Sequence, residues 1–204
     1  MTEATTPRTD PSTPTRPSGS RCFGDGDPLY EAYHDTEWGV PVHGETALFE
    51  RITLEGFQSG LAWITVLRKR PAFREVFRDF DPVRVAEFGD ADVERLLTDA
   101  RIIRNRRKIE ATVANAQALL ALHDAGRTLD ELFWSFAPDA TARERPAHWA
   151  DIPSQTPASK ALSKALKKEG FRFVGPTTMY AAMQACGLVD DHLATCPVVA
   201  EPGS

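Results

Sequence analysis

The sequence predicts an all-α fold made of short helices, without a convincing β-sheet. Apolar residues recur with helical periodicity over most of the chain, as in the stripe that contains Leu48, Ile52 and Phe57. The one strand-like alternation, Phe171-Arg-Phe-Val-Gly175, is cut short by Pro176. With 204 residues, 42% of them hydrophobic and 26% charged, the chain has the size and composition of one soluble globular domain.

The predicted helices follow one another as amphipathic stripes, each bounded by a capping residue or a helix breaker. The second stripe is expected to end at Arg70 because Pro71 follows it. Asp90 or Asp92 can cap a short helix, and Gly126 suits the left-handed position after a longer one. In chain order, these helices are expected over residues 45–57, 61–70, 73–80, 90–97, 109–125, 159–168 and 177–187.

Two tails flank the predicted domain, which extends over residues 21–197. Residues 1–20 are rich in Thr, Pro and Ser and nearly lack large apolar side chains, so we expect a disordered tail. Residues 198–204 are expected to form a loose C-terminal tail. Residues 137–157 are polar and contain prolines, which favours a long loop inside the domain.

Charge, hydropathy and cysteine content exclude several classes of protein. No apolar stretch approaches the length of a membrane span, and the N-terminus lacks the apolar core of a signal peptide. We therefore expect a cytoplasmic monomer with no membrane partner. The net charge of −5 argues against broad nonspecific binding to nucleic acid, although it leaves room for a local basic patch. Three cysteines cannot form a disulfide framework.

Two pairs of soft metal ligands lie near opposite ends of the domain. Cys22 and His34 belong to a loop-like stretch, whereas His192 and Cys196 have the H-x3-C spacing that places two side chains on one face of a helical turn. Two thiolates and two imidazoles would make a closed tetrahedral zinc site, structural rather than catalytic. The alternative is that the cysteines are small buried hydrophobic residues.

Residues 93–122 have the shape of a helix-hairpin-helix, a motif that binds DNA phosphate through backbone N–H groups and a helix N-terminus. A basic patch surrounds its turn, although Ala100-Arg101-Ile102 stands where a glycine is expected. The alternative is a solvated, charged helix start. The candidate DNA-binding residues are Arg101, Arg104, Arg106 and Lys108.

Longer motifs are distributed along the whole chain. They include Asp27-Pro-Leu-Tyr30, Glu37-Trp-Gly-Val-Pro41, Leu54-Glu-Gly-Phe-Gln-Ser-Gly-Leu-Ala-Trp63, Gly170-Phe-Arg-Phe-Val-Gly175 and Met183-Gln-Ala-Cys-Gly-Leu-Val-Asp-Asp-His192. Together they closely resemble the 3-methyladenine DNA glycosylase I family, and the resemblance covers nearly everything from Arg21 to Cys196. That family is a zinc-bearing branch of the helix-hairpin-helix DNA glycosylases.

The resemblance implies both a reaction and a metal. The reaction is hydrolysis of the N-glycosidic bond of 3-methyladenine, with 3-methylguanine as a further substrate, in double-stranded DNA that contains alkylated purines. This chemistry is a step of base-excision repair. The resemblance also implies one structural Zn²⁺ per chain, held by Cys22, His34, His192 and Cys196.

The resemblance places the base-binding pocket on three residues. It implies that Glu55 is the catalytic carboxylate, that Trp63 stacks on the base, and that Tyr33 also touches it. Glu55 and Trp63 are eight residues apart, a spacing that returns to nearly the same face if the segment stays helical. From the residues alone, Glu55 is equally well explained by a salt bridge or a capping role.

Other residues near the pocket are open to more than one interpretation. Trp38 is expected in the pocket wall, and Phe23 is expected either as a lid over the base or as part of the core. Trp149 is assigned to the core or the surface. Asp124 is the nearest counterpart of a catalytic aspartate that follows the hairpin in related glycosylases, but it looks like a capping or solvent-exposed residue.

Two rival functions fit parts of the sequence. The first is a zinc-stabilised DNA-damage-binding module without catalysis, in which Glu55 would be dispensable. The second is a zinc deaminase, suggested by His34-Asp-Thr-Glu37. The deaminase lacks support because the chain has no P-C-x-x-C partner motif, and a fourth protein ligand would leave no position for the reactive water.

Overall fold

The computed structural model of the protein describes residues 21–139 and 144–198. The tail expected at residues 1–20 and most of the one expected at 198–204 lie outside these ranges. Within them the regular structure is entirely helical and contains no β-strand, so the all-α prediction is confirmed. No helix in these ranges is long and apolar enough to cross a membrane.

Nine α-helices are present in the described ranges, and two single turns of 3₁₀-helix lie at Arg78–Phe80 and Trp149–Asp151. The α-helices are α1 (Pro28–Thr36), α2 (Glu45–Gln58), α3 (Trp63–Val76), α4 (Pro82–Ala86), α5 (Asp90–Thr98), α6 (Arg106–Asp124), α7 (Leu129–Trp134), α8 (Pro157–Lys168) and α9 (Pro176–Ala185).

Helix α2 is the centre of the fold. Every residue from Leu48 to Phe57 is buried, which means that both apolar and polar faces of this helix are enclosed by protein. Helices α3, α6, α7 and α9 all pack against it. Aromatic rings fill the space on its α3 side, where Phe57 and Phe73 have ring centroids 4.7 Å apart. Polar residues on such a helix are forced into the interior, where they need partners or a function.

The predicted helix boundary before Pro71 is wrong. Helix α3 continues through Pro71 to Val76. Pro71 is exposed, so its ring lies on the solvent side while Phe73 and Val76 pack in the core. The apolar contacts of these residues offset the hydrogen bond that proline removes. The stripe expected to be helical up to Phe80 is instead broken by three residues with positive φ at Arg78–Phe80.

The helices that were predicted around Gly126 and Pro176 are present. Helix α6 ends at Asp124, and Gly126 adopts the left-handed conformation with φ of 72°. The strand-like segment at 171–175 is a loop, because its backbone bonds to a side chain rather than to another strand. Arg172 both donates to and accepts from the Asn115 side chain, at 2.7 and 3.1 Å.

Candidate functional site

Glu55 lies in the interior of α2, and its side chain is among the most deeply buried charged groups of the protein. The residue is 4% exposed, and its Oε2 atom has no hydrogen-bond partner among the described residues. Burial raises the pKa of this carboxyl to about 8, and the positive charge of Arg51 acts in the opposite direction. A group of this kind is a candidate for ligand binding, since a buried unpaired carboxylate is costly.

Tyr33 and Trp63 are brought together beside Glu55 from two different helices. Their ring centroids are 5.3 Å apart, with an angle of 43° between the planes. Burial and the nearby charge of Glu55 raise the pKa of Tyr33 well above its ordinary value, so its phenol stays protonated. The Nε1 atom of Trp63 is buried and has no acceptor in the part of the chain described.

The expected reason for the proximity of Glu55 and Trp63 is wrong. The segment between them does not stay helical, because α2 ends at Gln58 and α3 begins at Trp63. The turn between the two helices contains Gly60, with φ of 85°. It is the packing of α1 against α3, through Tyr33, that assembles the site.

Phe23 and Trp38 lie in an aromatic layer between this carboxylate and the N-terminal ligand pair. The ring of Phe23 is 5.0 Å from that of Trp38 and 4.8 Å from that of His34. Trp38 also meets the His192 ring edge-on at 4.6 Å. Both aromatic residues therefore pack against the candidate metal ligands, and Phe23 connects them to the layer that contains Tyr33, at 6.4 Å.

Trp149 adds an exposed ring to this layer. It is 46% exposed, and its centroid is 6.2 Å from Phe23 and 6.4 Å from Trp38. Its Nε1 atom donates to the carbonyl oxygen of Cys22 at 2.9 Å. No spacing signal in the sequence distinguishes this tryptophan, since it reaches the layer from the loop that precedes α8.

The ligand pairs from the two ends of the domain converge. One atom each from Cys22, His34 and Cys196 lie within 4.8 Å of one another, and all three residues are buried. The fourth candidate, His192, has its ring centroid 5.1 Å from that of His34. Its Nε2 atom is buried and has no hydrogen-bond partner among the described residues.

Neither ligand pair has the local structure that the sequence predicts. His34 lies on α1 rather than in a loop, because Asp27 caps this helix by accepting from the N–H groups of Leu29 and Tyr30. His192 and Cys196 lie in a loop rather than on a helical turn. The loop's N–H groups bond elsewhere: that of Leu193 donates to the sulfur of Cys22 at 3.2 Å.

Each histidine is held by its own aspartate and arginine. The Nδ1 atom of His34 is 2.9 Å from Asp35, which also accepts two hydrogen bonds from Arg21 at 2.7 Å. In the same way, the Nδ1 atom of His192 is 2.8 Å from an oxygen of Asp190. Asp190 in turn accepts from Arg145 at 2.6 Å. Both Nε2 atoms are thereby oriented toward the sulfur atoms, the arrangement typical of metal-binding histidines.

The ionisation of the cluster agrees with a cation-binding set. Burial lowers the pKa of His34, which favours the neutral imidazole that binds metals. Burial also raises the pKa of the Cys22 thiol to about 12, so a thiolate at this position requires a cation beside it. Burial opposes ionisation of Asp190, but hydrogen bonds from His192 and Arg145 lower its pKa to about 2.

The predicted hairpin is present between α5 and α6, at residues 99–105, and it needs no glycine. None of these seven residues has a positive φ. Ile102 anchors the turn in the core, and Lys69 on α3 donates to the carbonyl oxygens of Ala100 and Arg101 at 3.0 Å each. The side chain of Asn105 caps α6 by accepting from a backbone N–H at 3.2 Å.

The four predicted DNA-binding side chains differ in their surroundings. Arg104 is exposed. Arg101 is also exposed but pairs with Asp99 and Glu75, and Arg106 pairs with Glu94 at 2.6 Å. These pairs are solvent-exposed, so exchanging them for phosphate contacts costs little.

Lys108 is placed differently from the sequence-based expectation. The residue is 8% exposed, and its Nζ atom donates to the carbonyl oxygens of Phe57 and Ser59, both at 2.8 Å. Its ammonium group therefore joins the N-terminal part of α6 to the C-terminal end of α2. In this arrangement it faces the interior, and no phosphate can approach it.

Comparison with known proteins gives a consistent result. A family model described as methyladenine glycosylase matches residues 23–200. The DNA-3-methyladenine glycosylase 1 of Escherichia coli (strain K12) is 53% identical over 170 residues, which cover 83% of this chain and 91% of the relative. A crystal structure of 3-methyladenine DNA glycosylase I has a TM-score of 0.82 at 50% identity, over 87% of this chain and 98% of that one.

A second solved structure carries a ligand in its description. It is a variant of 3-methyladenine DNA glycosylase I in complex with 3-methyladenine. Its TM-score is 0.80 and its sequence identity 37%, over 85% of this chain and 93% of that one.

Proposed function

This chain belongs to the methyladenine glycosylase family, and we propose that it hydrolyses the N-glycosidic bond of 3-methyladenine in alkylated double-stranded DNA. It is a DNA glycosylase of base-excision repair, and residues 21–197 carry the activity. The observation that supports this most strongly is the buried carboxylate of Glu55, unpaired at Oε2 and adjoined by two aromatic residues.

The buried carboxylate explains how the site selects its substrate. An adenine alkylated at N3 carries a positive charge in the nucleotide, whereas normal bases are neutral. Ionised Glu55 complements that charge and accepts a hydrogen bond from the base, and the faces of Tyr33 and Trp63 attract a cationic ring. A neutral base offers no charge to compensate the buried carboxylate, so its binding leaves the desolvation cost in place.

The same charge distribution explains how the bond breaks. The alkylated base leaves as a neutral molecule, so a strong general acid is unnecessary. The base first rotates out of the helix, which costs less for a damaged and poorly paired nucleotide. Glu55 then stabilises the positive charge that develops on the sugar, and water attacks the sugar carbon.

The activity is monofunctional, without cleavage of the DNA strand. Strand cleavage by glycosylases needs an amine that attacks the sugar. The ammonium group of Lys108 is bound to the carbonyl oxygens of Phe57 and Ser59, so it is not available as a nucleophile. We also propose that 3-methylguanine is a substrate, because it carries the same charge at the same ring position.

The metal cluster holds one structural Zn²⁺, bound by Cys22, His34, His192 and Cys196. The fit is supported by the buried, unpaired Nε2 atom of His192 and by the aspartates behind both imidazoles. When bound, the ion neutralises two thiolates and fastens the N- and C-terminal segments to each other. With four protein ligands the site is closed, so it contributes to stability and has no part in the hydrolysis.

The helix-hairpin-helix at α5 and α6 binds the DNA backbone. The exposed N-terminus of α6 and the N–H groups of the hairpin suit a phosphate, and Arg101, Arg104 and Arg106 surround them. Phe23 and Trp38 have a supporting role, because they fill the space between the metal cluster and the pocket.

Release of free 3-methyladenine from methylated DNA tests this function. The wild-type protein should release the free base without nicking the strand, and Glu55→Gln should reduce kcat/KM by at least about a hundredfold. Asp124→Asn is the control, since Asp124 is exposed at the end of α6 and should have wild-type activity. Full activity of Glu55→Gln with loss in Asp124→Asn would overturn the assignment. Binding of alkylated DNA without any base release would instead favour a non-catalytic damage-binding module.

A further inference from the structure

Arg51 is a buried arginine to which the proposed reaction gives no role. It lies on α2 one turn before Glu55, and its side chain is 9% exposed. Its guanidinium carbon is 6.0 Å from the centroid of the Tyr33 ring. Its Nη1 atom is buried and has no hydrogen-bond partner among the described residues. Burying a charged donor in this way is costly, so the position of Arg51 needs an explanation.

A carboxylate on the far side fixes Arg51 in place. The Nη2 atom of Arg51 donates to Oε2 of Glu37 at 2.7 Å. The same oxygen accepts from Arg70 at 2.6 Å, and Arg70 donates to Glu50 at 2.6 Å. Arg74, at the solvent-exposed end of this chain of ion pairs, also donates to Glu50. Arg51 is therefore the inner end of a rigid network, and its orientation is set by Glu37.

Arg51 is the cation that acts on Glu55. The titratable groups around Glu55 are Arg51 on the same helix, Tyr30 and Tyr33 on α1, and Cys186 at the end of α9. Burial raises the pKa values of both tyrosines and of the cysteine, so these three groups are neutral at ordinary pH. No direct ion pair joins Arg51 and Glu55 in the part of the chain that the structure covers, and their interaction acts through space.

We propose that Arg51 and Glu37 are positioning residues that act as a charge-balanced pair and set the preference of Glu55 for a cationic base; the inference rests on the proposed function. Arg51 keeps the buried carboxylate ionised, which binding of a cation requires. Alone, the same arginine would repel the cationic base. Glu37 cancels that repulsion because it pairs with Arg51 on the side that faces away from Glu55.

Two substitutions should therefore act in opposite directions. Removing the cation in Arg51→Met raises the pKa of Glu55 and moves the acid limb of kcat/KM to higher pH. Removing the anion in Glu37→Gln lowers the pKa of Glu55, moves that limb to lower pH, and raises KM because Arg51 is no longer neutralised. A charge at this range shifts a pKa by about one to three units, and each unit is about a tenfold change in kcat/KM below the limb.

The experiment measures the pH dependence of 3-methyladenine release from methylated DNA by the full chain. Arg51→Lys keeps the charge and should keep the acid limb of the wild type. Arg74→Met is the matched control, since it removes an arginine from the exposed end of the same network and should leave the limb in place. The proposal is overturned if Arg51→Met and Glu37→Gln shift the limb in the same direction, or shift it no more than Arg74→Met does.

A second measurement separates this inference from the proposed function. Titration of the Glu55 side-chain carboxyl by ¹³C NMR, in protein labelled at glutamate, measures the two opposite shifts without any substrate. If the wild type releases no base, the function is wrong, and the carboxyl titration still decides the charge relationship. If Arg51→Met does not fold in a thermal melt, Glu37→Gln decides the question alone, because a zero or upward shift there contradicts the proposal.

Discussion

Gly39 lies so close to His192 that a side chain at this position would collide with the imidazole. A Cβ atom on Gly39 would be 2.8 Å from Cε1 and 3.3 Å from Nδ1 of His192. The backbone of Gly39 also has φ of 81°, a conformation that favours glycine. The segment that follows α1 therefore fixes the ring that we assign as the fourth zinc ligand.

We expect Gly39→Ala to lower both the metal content and the thermal stability, because His192 must move away from the other ligands. Gly26→Ala is the control for backbone strain alone: Gly26 has φ of 89°, and no atom within 4 Å would meet its Cβ. That substitution should cost about 1–2 kcal/mol and leave the zinc stoichiometry at one. Elemental analysis and thermal melts check both variants, and equal metal content in the two would contradict the role of this contact.

Removing one sulfur ligand should abolish metal binding without a direct effect on the pocket. We expect Cys196→Ser to lose zinc and to melt at a lower temperature, since the two ends of the domain are then no longer joined. Cys186→Ser changes an equally buried cysteine outside the cluster and should retain one zinc per chain. Zinc stoichiometry by mass spectrometry distinguishes the two, and a wild-type protein that keeps its full stability in chelator would show that the cluster is not a metal clamp.

Glu55→Gln should stabilise the protein increasingly as the pH rises. The folded-state pKa of Glu55 is raised to about 8 from an ordinary value of 4.5, so the wild type loses stability between these values as the pH increases. The neutral glutamine has no such loss. Each kcal/mol corresponds to about 2 to 4 °C in Tm for a chain of this size.

Melts of Glu55→Gln and of the control Glu94→Gln, at a series of pH values from 4 to 9, measure this difference. Glu94 is exposed on α5, so its substitution should have a small effect that does not grow in the same way. A Tm difference for Glu55→Gln that is constant across this range would mean that the carboxyl is already ionised at low pH.

Lys108→Met should destabilise the fold and leave the salt dependence of DNA binding unchanged. Two carbonyl oxygens that Lys108 binds would lose their donor, at a cost of about 1–3 kcal/mol each. Arg104→Ala should do the opposite, keeping Tm while reducing the slope of log K against log salt by about one. If Lys108→Met reduced that slope and kept Tm, this lysine would be a phosphate ligand after all.

The pocket residues could be predicted because their sequence context is unusual. A glutamate between Leu54 and Gly56, in an otherwise apolar segment, is hard to explain without a function, and the family resemblance supplies one. The geometry could not be predicted in the same way. The expected continuous helix between Glu55 and Trp63 is interrupted, and the contact with Tyr33 depends on how α1 packs against α3.

Arg51 and Lys108 show what the sequence hides. Both look like ordinary surface cations on amphipathic helices, and both are buried. The burial of Arg51 depends on Glu37 and Arg70, which come from different parts of the chain. The i, i+4 spacing from Arg51 to Glu55 was a usable signal, but such pairs are common on helix surfaces and seldom indicate a buried interaction.

The convergence of Cys22 and Cys196 on one cluster has a consequence for synthesis on the ribosome. Translation delivers the first two ligands with the earliest helix and the last two only after α9 has been made. The coordination set is therefore incomplete in every nascent chain that stops before Cys196. A prematurely terminated product retains most of the core helices but cannot close the domain, which makes it a substrate for proteases rather than a partly active enzyme.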